Sequence, residues 1–203
     1  MPNRGDRGGA KTRARIADVA TRMFLERGFD EVTVAQVATA AGVSKVTVFS
    51  HFERKEDLLL DRLPAAMDTL RTAIRERAEG VGPVQAFRTL AVTLAEQRRA
   101  LTGLGDGVEP VLRTVAGSPA LLARLREFEH EVEAALADDL REDPRFTGDA
   151  DLVAALMVAA YRTVAVDTAR RRLAGDDRAE IVAAHLERLD RAFDAVEHGV
   201  TPG

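Results

Sequence analysis

The chain has 203 residues, 46% hydrophobic and 31% charged, with a formal net charge of −4 and no cysteine. That is enough apolar material for one large or two small cores, and the lack of cysteine excludes a disulfide framework and thiolate metal sites and fits a reducing cytoplasm. The Gly- and Arg-rich start lacks the apolar centre of a signal peptide, and no apolar run reads as long enough to span a bilayer, so no membrane partner is expected.

The charge is unevenly placed. Residues 1–60 are net positive and residues 61–203 net negative, a weak pointer to a nucleic-acid-facing N-terminal end. Residues 1–10 read as a disordered arm. A first helix is expected from Thr12 as N-cap, with Ile16, Val19, Ala20, Met23 and Phe24 forming an apolar stripe at helical spacing. Gly28 suits its left-handed end. Thr33 and Gln36 then form a capping box, and Val34, Val37, Ala38 and Ala41 face inward on a second, short helix. Gly42 permits a sharp turn, Val43 drops into the core, and Ser44 caps a third helix that buries Val48 and Phe52.

Beyond this, one helix is expected from about Lys55 to Glu79, kinked at Pro64. Further helices are expected at about 83–101, 107–116, 119–142, 150–174 and 178–198, separated by Gly, Pro and Asp punctuation. No stretch combines strand alternation with hairpin turns. The fold class is therefore all-α, with about nine helices.

Two short helices joined at a glycine turn make a helix-turn-helix, whose second helix enters the major groove. Here the motif spans Thr33–Phe52. Its second helix leaves Lys45, Val46, Thr47, Phe49, Ser50 and His51 to face outward. Read singly, Lys45 is a solvated lysine and His51 a core or surface histidine. Their joint spacing is what points to DNA.

The segment from Thr12 to Leu60 resembles the DNA-binding domain of the tetracycline-repressor (TetR) family. The matching residues are Arg15-Ile16 with Ala20 and Phe24, Gly28-Phe29, Thr33-Val34, Val37-Ala38, Ala41-Gly42-Val43-Ser44-Lys45, Thr47-Val48-Phe49-Ser50-His51-Phe52, and Lys55-Glu56-Asp57-Leu58-Leu59. The resemblance covers about a quarter of the chain. It implies an arm at 1–10, an N-terminal three-helix DNA-binding domain at 11–60, and a C-terminal effector-binding and dimerisation domain at 61–203. It places Lys45, Val46 and Thr47 at base edges or nearby phosphates, Ser50 toward DNA, and His51 and Lys55 at phosphates. Ser44 stands at the head of the reading helix, and Thr12 and Thr33 are further phosphate candidates at helix starts. Two residues depart from the pattern. Phe49 stands where the family usually has tyrosine, so a hydroxyl is missing. Arg54 stands where a small cap is common.

The resemblance implies a ligand-responsive regulator, most often a repressor, that binds a palindromic double-stranded operator as a homodimer. In the last helix, Val182, Leu186, Leu189, Phe193 and Val196 run at alternating spacings of four and three, which suits a dimer seam. The alternative is that this stripe buries inside one chain. By resemblance an apolar cavity should take a small effector. Met67, Phe87, Leu94, Phe128, Met157 and Tyr161 are candidate lining residues, with Arg98 and His130 as polar anchors. The sequence offers no metal-ligand cluster, phosphate-cradling loop or nucleophile elbow, so neither an enzyme nor a cofactor is expected. A helical interaction module that has lost DNA binding is the remaining alternative.

Overall fold

The computed structural model describes residues 4–99 and 102–199. Among them are nine α-helices: α1 (Arg4–Arg27), α2 (Val34–Ala40), α3 (Lys45–Phe49), α4 (Leu63–Arg75), α5 (Pro83–Glu96), α6 (Glu109–Gly117), α7 (Pro119–Glu142), α8 (Ala150–Ala174) and α9 (Arg178–His198). A 3₁₀ turn covers Glu56–Leu58. No strand occurs among the described residues.

Two N-terminal expectations are corrected. Helix α1 begins at Arg4, so the described part of the expected arm is helical and Thr12 lies inside the helix; Met1–Asn3 fall outside the described residues. Extending a nucleated helix adds one hydrogen bond per residue, which here outweighs the cost, roughly 1 kcal/mol each, of Gly5, Gly8 and Gly9. The expected helix from Lys55 to Glu79 is instead the 3₁₀ turn followed by α4. Pro64 is the second residue of α4. In a first turn its missing N–H has no helical acceptor to lose, so the proline starts a helix rather than kinking one.

Helix α5 stops at Glu96, short of the expected 101. Arg98 adopts φ 49°. The Arg99 N–H donates to Leu94 O at 3.0 Å and the Arg98 N–H to Ala95 O at 2.9 Å. This is the Schellman end, which usually recruits glycine; here an arginine fills the left-handed position.

The chain forms two compact units. The first comprises residues 1–63 with 113–124, and the second comprises 64–112 with 125–203. The first unit thus includes the end of α6 and the first turn of α7, which the sequence reading had assigned wholly to the C-terminal domain. Leu121, fully buried, joins Ile16, Phe24, Val37, Val48 and Leu58 in its core.

The second unit is built round Ile74, Phe87, Leu136, Met157, Leu189 and Phe193. Two ion-paired clasps join α4 and the segment after it to α7. Arg71 grips the buried Asp139 carboxylate with Nε and Nη2, at 2.8 and 2.7 Å, and Arg75 Nε adds a third bond at 2.9 Å. Burial raises the Asp139 carboxyl, and the hydrogen bonds from Arg71 and Arg75 more than reverse this, leaving it below the usual range. Further on, Arg77 pairs with Asp143 at 2.5 Å, while Arg145 donates to the carbonyls of Arg75 and Arg77.

Helix α8 is long and apolar enough, by length and composition, to cross a membrane, which corrects the sequence reading that no such run exists. Ala154, Met157, Val158 and Val164 on one side of α8 are buried in the core of the second unit.

Candidate nucleic-acid interface

The head is assembled by caps. Thr33 N–H donates to Gln36 Oε1 at 2.8 Å, and Gln36 N–H returns to Thr33 Oγ1 at 3.3 Å. This is the capping box read from the sequence. Helix α2 ends with Val43 N–H on Ala38 O at 3.0 Å and Gly42 N–H on Thr39 O at 3.1 Å. That closure needs the left-handed backbone that Gly42 supplies at φ 64°. Ser44 Oγ accepts the Thr47 N–H at 3.0 Å and starts α3.

With both ends fixed, α3 has a defined inside and outside. Val48 and Phe52 are 1% and 2% exposed within the core. Val46 and Phe49 are 79% and 45% exposed, although both are large and apolar. Lys45 and Ser50 are exposed beside them. The Lys45 ammonium sits 5.6 Å from the Phe49 ring centre, and Ser50 Oγ donates to Thr47 O at 2.8 Å. Exposed apolar groups next to a cation suit a surface that packs thymine methyl groups and donates to guanine.

Some expected contacts are used within the chain. The Thr47 hydroxyl lies 2.8 Å from Ser44 Oγ, so both oxygens belong to the cap. Thr33 is exposed but serves the capping box. Lys55 is half-buried, with its ammonium 4.2 Å from the Phe29 ring centre and 5.8 Å from that of Phe24. Only a three-residue 3₁₀ turn follows it, too short to offer a phosphate the free amides of a helix start. Thr12 lies inside α1 and not at a helix start. His51 is half-buried. The cap missing at Arg54 is supplied by Asp57, whose Oδ2 accepts the Arg54 N–H at 3.2 Å while its Oδ1 accepts Arg124 Nε at 3.0 Å.

The profile of the family described as "Bacterial regulatory proteins, tetR family" matches residues 16–61. The chain is 28% identical over 197 residues to the helix-turn-helix transcriptional regulator TcmR of Streptomyces glaucescens, covering 95% of this chain and 84% of that one. The head at residues 16–61 is of the TetR type.

A second relative, a helix-turn-helix transcriptional repressor of Mycobacterium tuberculosis, is 28% identical over 183 residues, spanning 90% of this chain and 93% of its own. Among solved structures, Thermus thermophilus FadR, a TetR-family transcriptional repressor in complex with lauroyl-CoA, superposes with a TM-score of 0.58 at 26% identity, covering 94% of this chain and 96% of that one. A TetR-family regulator from Mesorhizobium loti shares the fold, with a TM-score of 0.55 at 18% identity over 96% and 98% of the two chains. These relatives are transcriptional regulators and not enzymes, and the TetR-type head is a DNA-binding domain.

Five of the expected effector-lining residues come together in the core of the second unit. Phe87 and Met157 are buried in the core, with Met67, Phe128 and Tyr161 packed against it. The Phe87 ring centre is 5.7 Å from that of Tyr161 and 5.1 Å from that of Phe193. Burial pushes the Tyr161 hydroxyl up to about 12. Leu94 is half-buried near the end of α5 and is not part of that cluster. The two proposed polar anchors face solvent: Arg98 is exposed, and His130 is exposed and meets Glu133 at 3.2 Å.

The expected dimer seam on α9 is partly used within this chain. Leu189 and Phe193 are fully buried in this chain's own core, and Val196 packs against them. Val182 and Leu186 pack on the small cluster of Ala95, Leu104 and Ile181. Leu189 and Phe193 therefore hold α9 to its own chain, while Val182, Leu186 and Val196 stay partly exposed. The apolar face left uncovered belongs to α8: Leu152, Leu156, Val166 and Leu173 are 55%, 42%, 43% and 37% exposed.

Proposed function

We propose that this chain, with its TetR-type head, is a transcriptional repressor that binds a palindromic operator as a homodimer and is released by a small-molecule effector. The observation that carries this reading is the exposed Lys45, Val46, Phe49 and Ser50 on a helix whose other face is locked by Val48 and Phe52. Lys45 donates to base edges or phosphate, and Val46 and Phe49 pack on thymine methyls and sugar. Ser50 adds a polar contact. With no hydroxyl at Phe49, phosphate anchoring falls to Lys45, His51 and Arg54.

The occupant of the uncovered α8 face is a second copy of the chain. Leu152, Leu156, Ala159, Thr163 and Val166 recur at alternating spacings of four and three, and Leu173 follows seven residues later, the seam that pairs two helices. A two-fold pair places two reading helices on successive major-groove faces. The effector acts where Phe87, Met157 and Tyr161 now pack together. It must part that cluster, and it stabilises the released state only by binding it more tightly than the DNA-bound state. Aromatic residues make up only 4% of the chain, which favours an aliphatic effector over a planar cation. Like its relatives, the protein works in the bacterial cytoplasm.

The test is a gel shift with the DNA upstream of the protein's own gene, run beside sedimentation of the free protein. The expected result is a retarded band and a dimer, with Leu156→Asp plus Val166→Asp giving a monomer that no longer shifts that DNA. A monomeric native protein, or a dimer untouched by the double substitution, contradicts the α8 assignment.

A further inference from the structure

Arg13 lies outside the helix-turn-helix, yet its guanidinium is committed to the exit of α3. Its centre is 4.2 Å from the middle of the Phe52 ring, and Nη1 donates to the His51 carbonyl. Both partners follow directly on the reading helix. Phe52 is 2% exposed and cannot move aside. One turn earlier on α1, a Cβ at Gly9 would stand 4.0 Å from the His51 ring, so α1 runs close to the same corner.

The His51 carbonyl lies in the turn just past α3, beyond its C-cap Ser50. A planar guanidinium can donate to such a carbonyl with its edge while its face rests on an aromatic ring. A lysine ammonium can donate to the carbonyl but has no flat face to rest on the ring. Arg13 therefore ties the turn that leaves α3 to helix α1. We propose that Arg13 is a positioning residue for DNA recognition: it fixes the angle at which α3 presents Lys45, Val46 and Phe49, without itself touching DNA. This rests on the DNA-reading assignment of the head.

The two kinds of DNA contact respond differently to a tilted helix. Base-edge hydrogen bonds weaken steeply with distance and angle, whereas phosphate contacts made by flexible side chains set general affinity and salt dependence. Loss of Arg13 thus removes discrimination and spares non-specific binding. A direct phosphate contact would do the reverse.

The experiment uses the full chain and, as probe, the duplex most enriched by the native protein from a random-sequence library, beside an unrelated duplex of equal length. Binding of native protein, Arg13→Gln and Arg13→Lys is followed by fluorescence anisotropy across a salt series, with circular dichroism to confirm folding. For Arg13→Gln, affinity for the selected duplex falls on the order of tenfold, as for one lost base contact, and that for the unrelated duplex stays within about twofold. The salt slope is unchanged. Arg13→Lys loses about threefold, since charge without stacking restores part of the clamp, and it carries the comparison should the glutamine variant fail to fold. A salt slope lowered by about one, as for a lost phosphate contact, overturns the inference. So does native discrimination in both variants, or a parallel loss on both duplexes. Should the native protein enrich no duplex, the DNA-reading assignment fails first, and the inference falls with it.

Discussion

Replacing Asp139 by Asn tests whether the clasp on α4 is a major element of the second unit. The carboxylate is 1% exposed and accepts four bonds from Arg71 and Arg75, those from Arg71 Nε and Nη2 and Arg75 Nε at 2.7–2.9 Å and one more from Arg75 Nη2. Breaking a buried pair costs roughly 3–5 kcal/mol when the orphaned charge stays buried. Here the arginine side chains are 28% and 51% exposed, so both can rehydrate, and Asn keeps one acceptor. The expected loss is therefore about 2 kcal/mol. Urea unfolding at neutral pH, followed by circular dichroism, measures it. A double-mutant cycle with Arg71→Met should return a coupling of about 1 kcal/mol or more. Because the folded carboxyl titrates below its ordinary value, the clasp contributes fully above about pH 4 and is lost only as pH falls further. The native-to-variant difference should thus be flat from neutral pH down to mild acid. A loss under about 0.5 kcal/mol, near the noise of additivity, or a coupling indistinguishable from zero, refutes the reasoning.

Three further outcomes follow from named residues. Phe49→Tyr restores a hydroxyl to an exposed ring beside Lys45; if a phosphate lies there, operator affinity rises about tenfold to a hundredfold, as for one added hydrogen bond to a charged group, and an unchanged Kd places the ring elsewhere. Arg98→Gly relieves the left-handed strain at φ 49° and raises stability by about 0.5–1 kcal/mol after the glycine's own entropy cost; a lower melting temperature would mean that the arginine side chain matters more than its backbone. His185 is 2% exposed, sits 2.7 Å from Thr168 Oγ1 through Nδ1 and has no partner for Nε2 among the described residues. Burial lowers its pKa, so the folded chain binds fewer protons than the unfolded one. Stability is full above the unfolded value near 6.5 and declines as pH falls from there toward the depressed folded value. His185→Gln should flatten that decline, and an equal acid slope in native and variant proteins rules out His185 as its source.

Much of the fold was legible where local chemistry decides it. Thr33, Gln36, Gly42 and Ser44 act through neighbours three to five residues away, and the structure shows those bonds. The bounds of α7, α8 and α9 follow Pro119, Asp149, Gly175 and Asp177, which are likewise local signals. What was not legible depends on distant partners. Periodicity marked an apolar stripe on α9, but an apolar period states only that a face is buried. Phe87 decides that this face is covered at Phe193 by the same chain, and the uncovered face on α8 became visible only once the core was assembled. Lys55 looked free because nothing in its neighbourhood announced Phe29 beneath it. Arg13 went unnoticed because its partners lie 38 and 39 positions away in sequence. Arg98 ends α5 without the glycine that normally signals such an end.

The central claim is that α3 reads DNA in a two-fold pair. The measurement that tests it most directly is a footprint on the duplex selected by the native protein, with stoichiometry and salt dependence taken from the same titration. The account predicts two chains per site and two protected half-sites related by a dyad, with centres about one helical turn or a multiple apart. Binding should weaken steeply as salt rises, and Lys45→Ala should relax discrimination at one position in each half-site by roughly 1–3 kcal/mol. A single undivided footprint from one chain, or selected binding that Lys45→Ala leaves intact at every position, would contradict it.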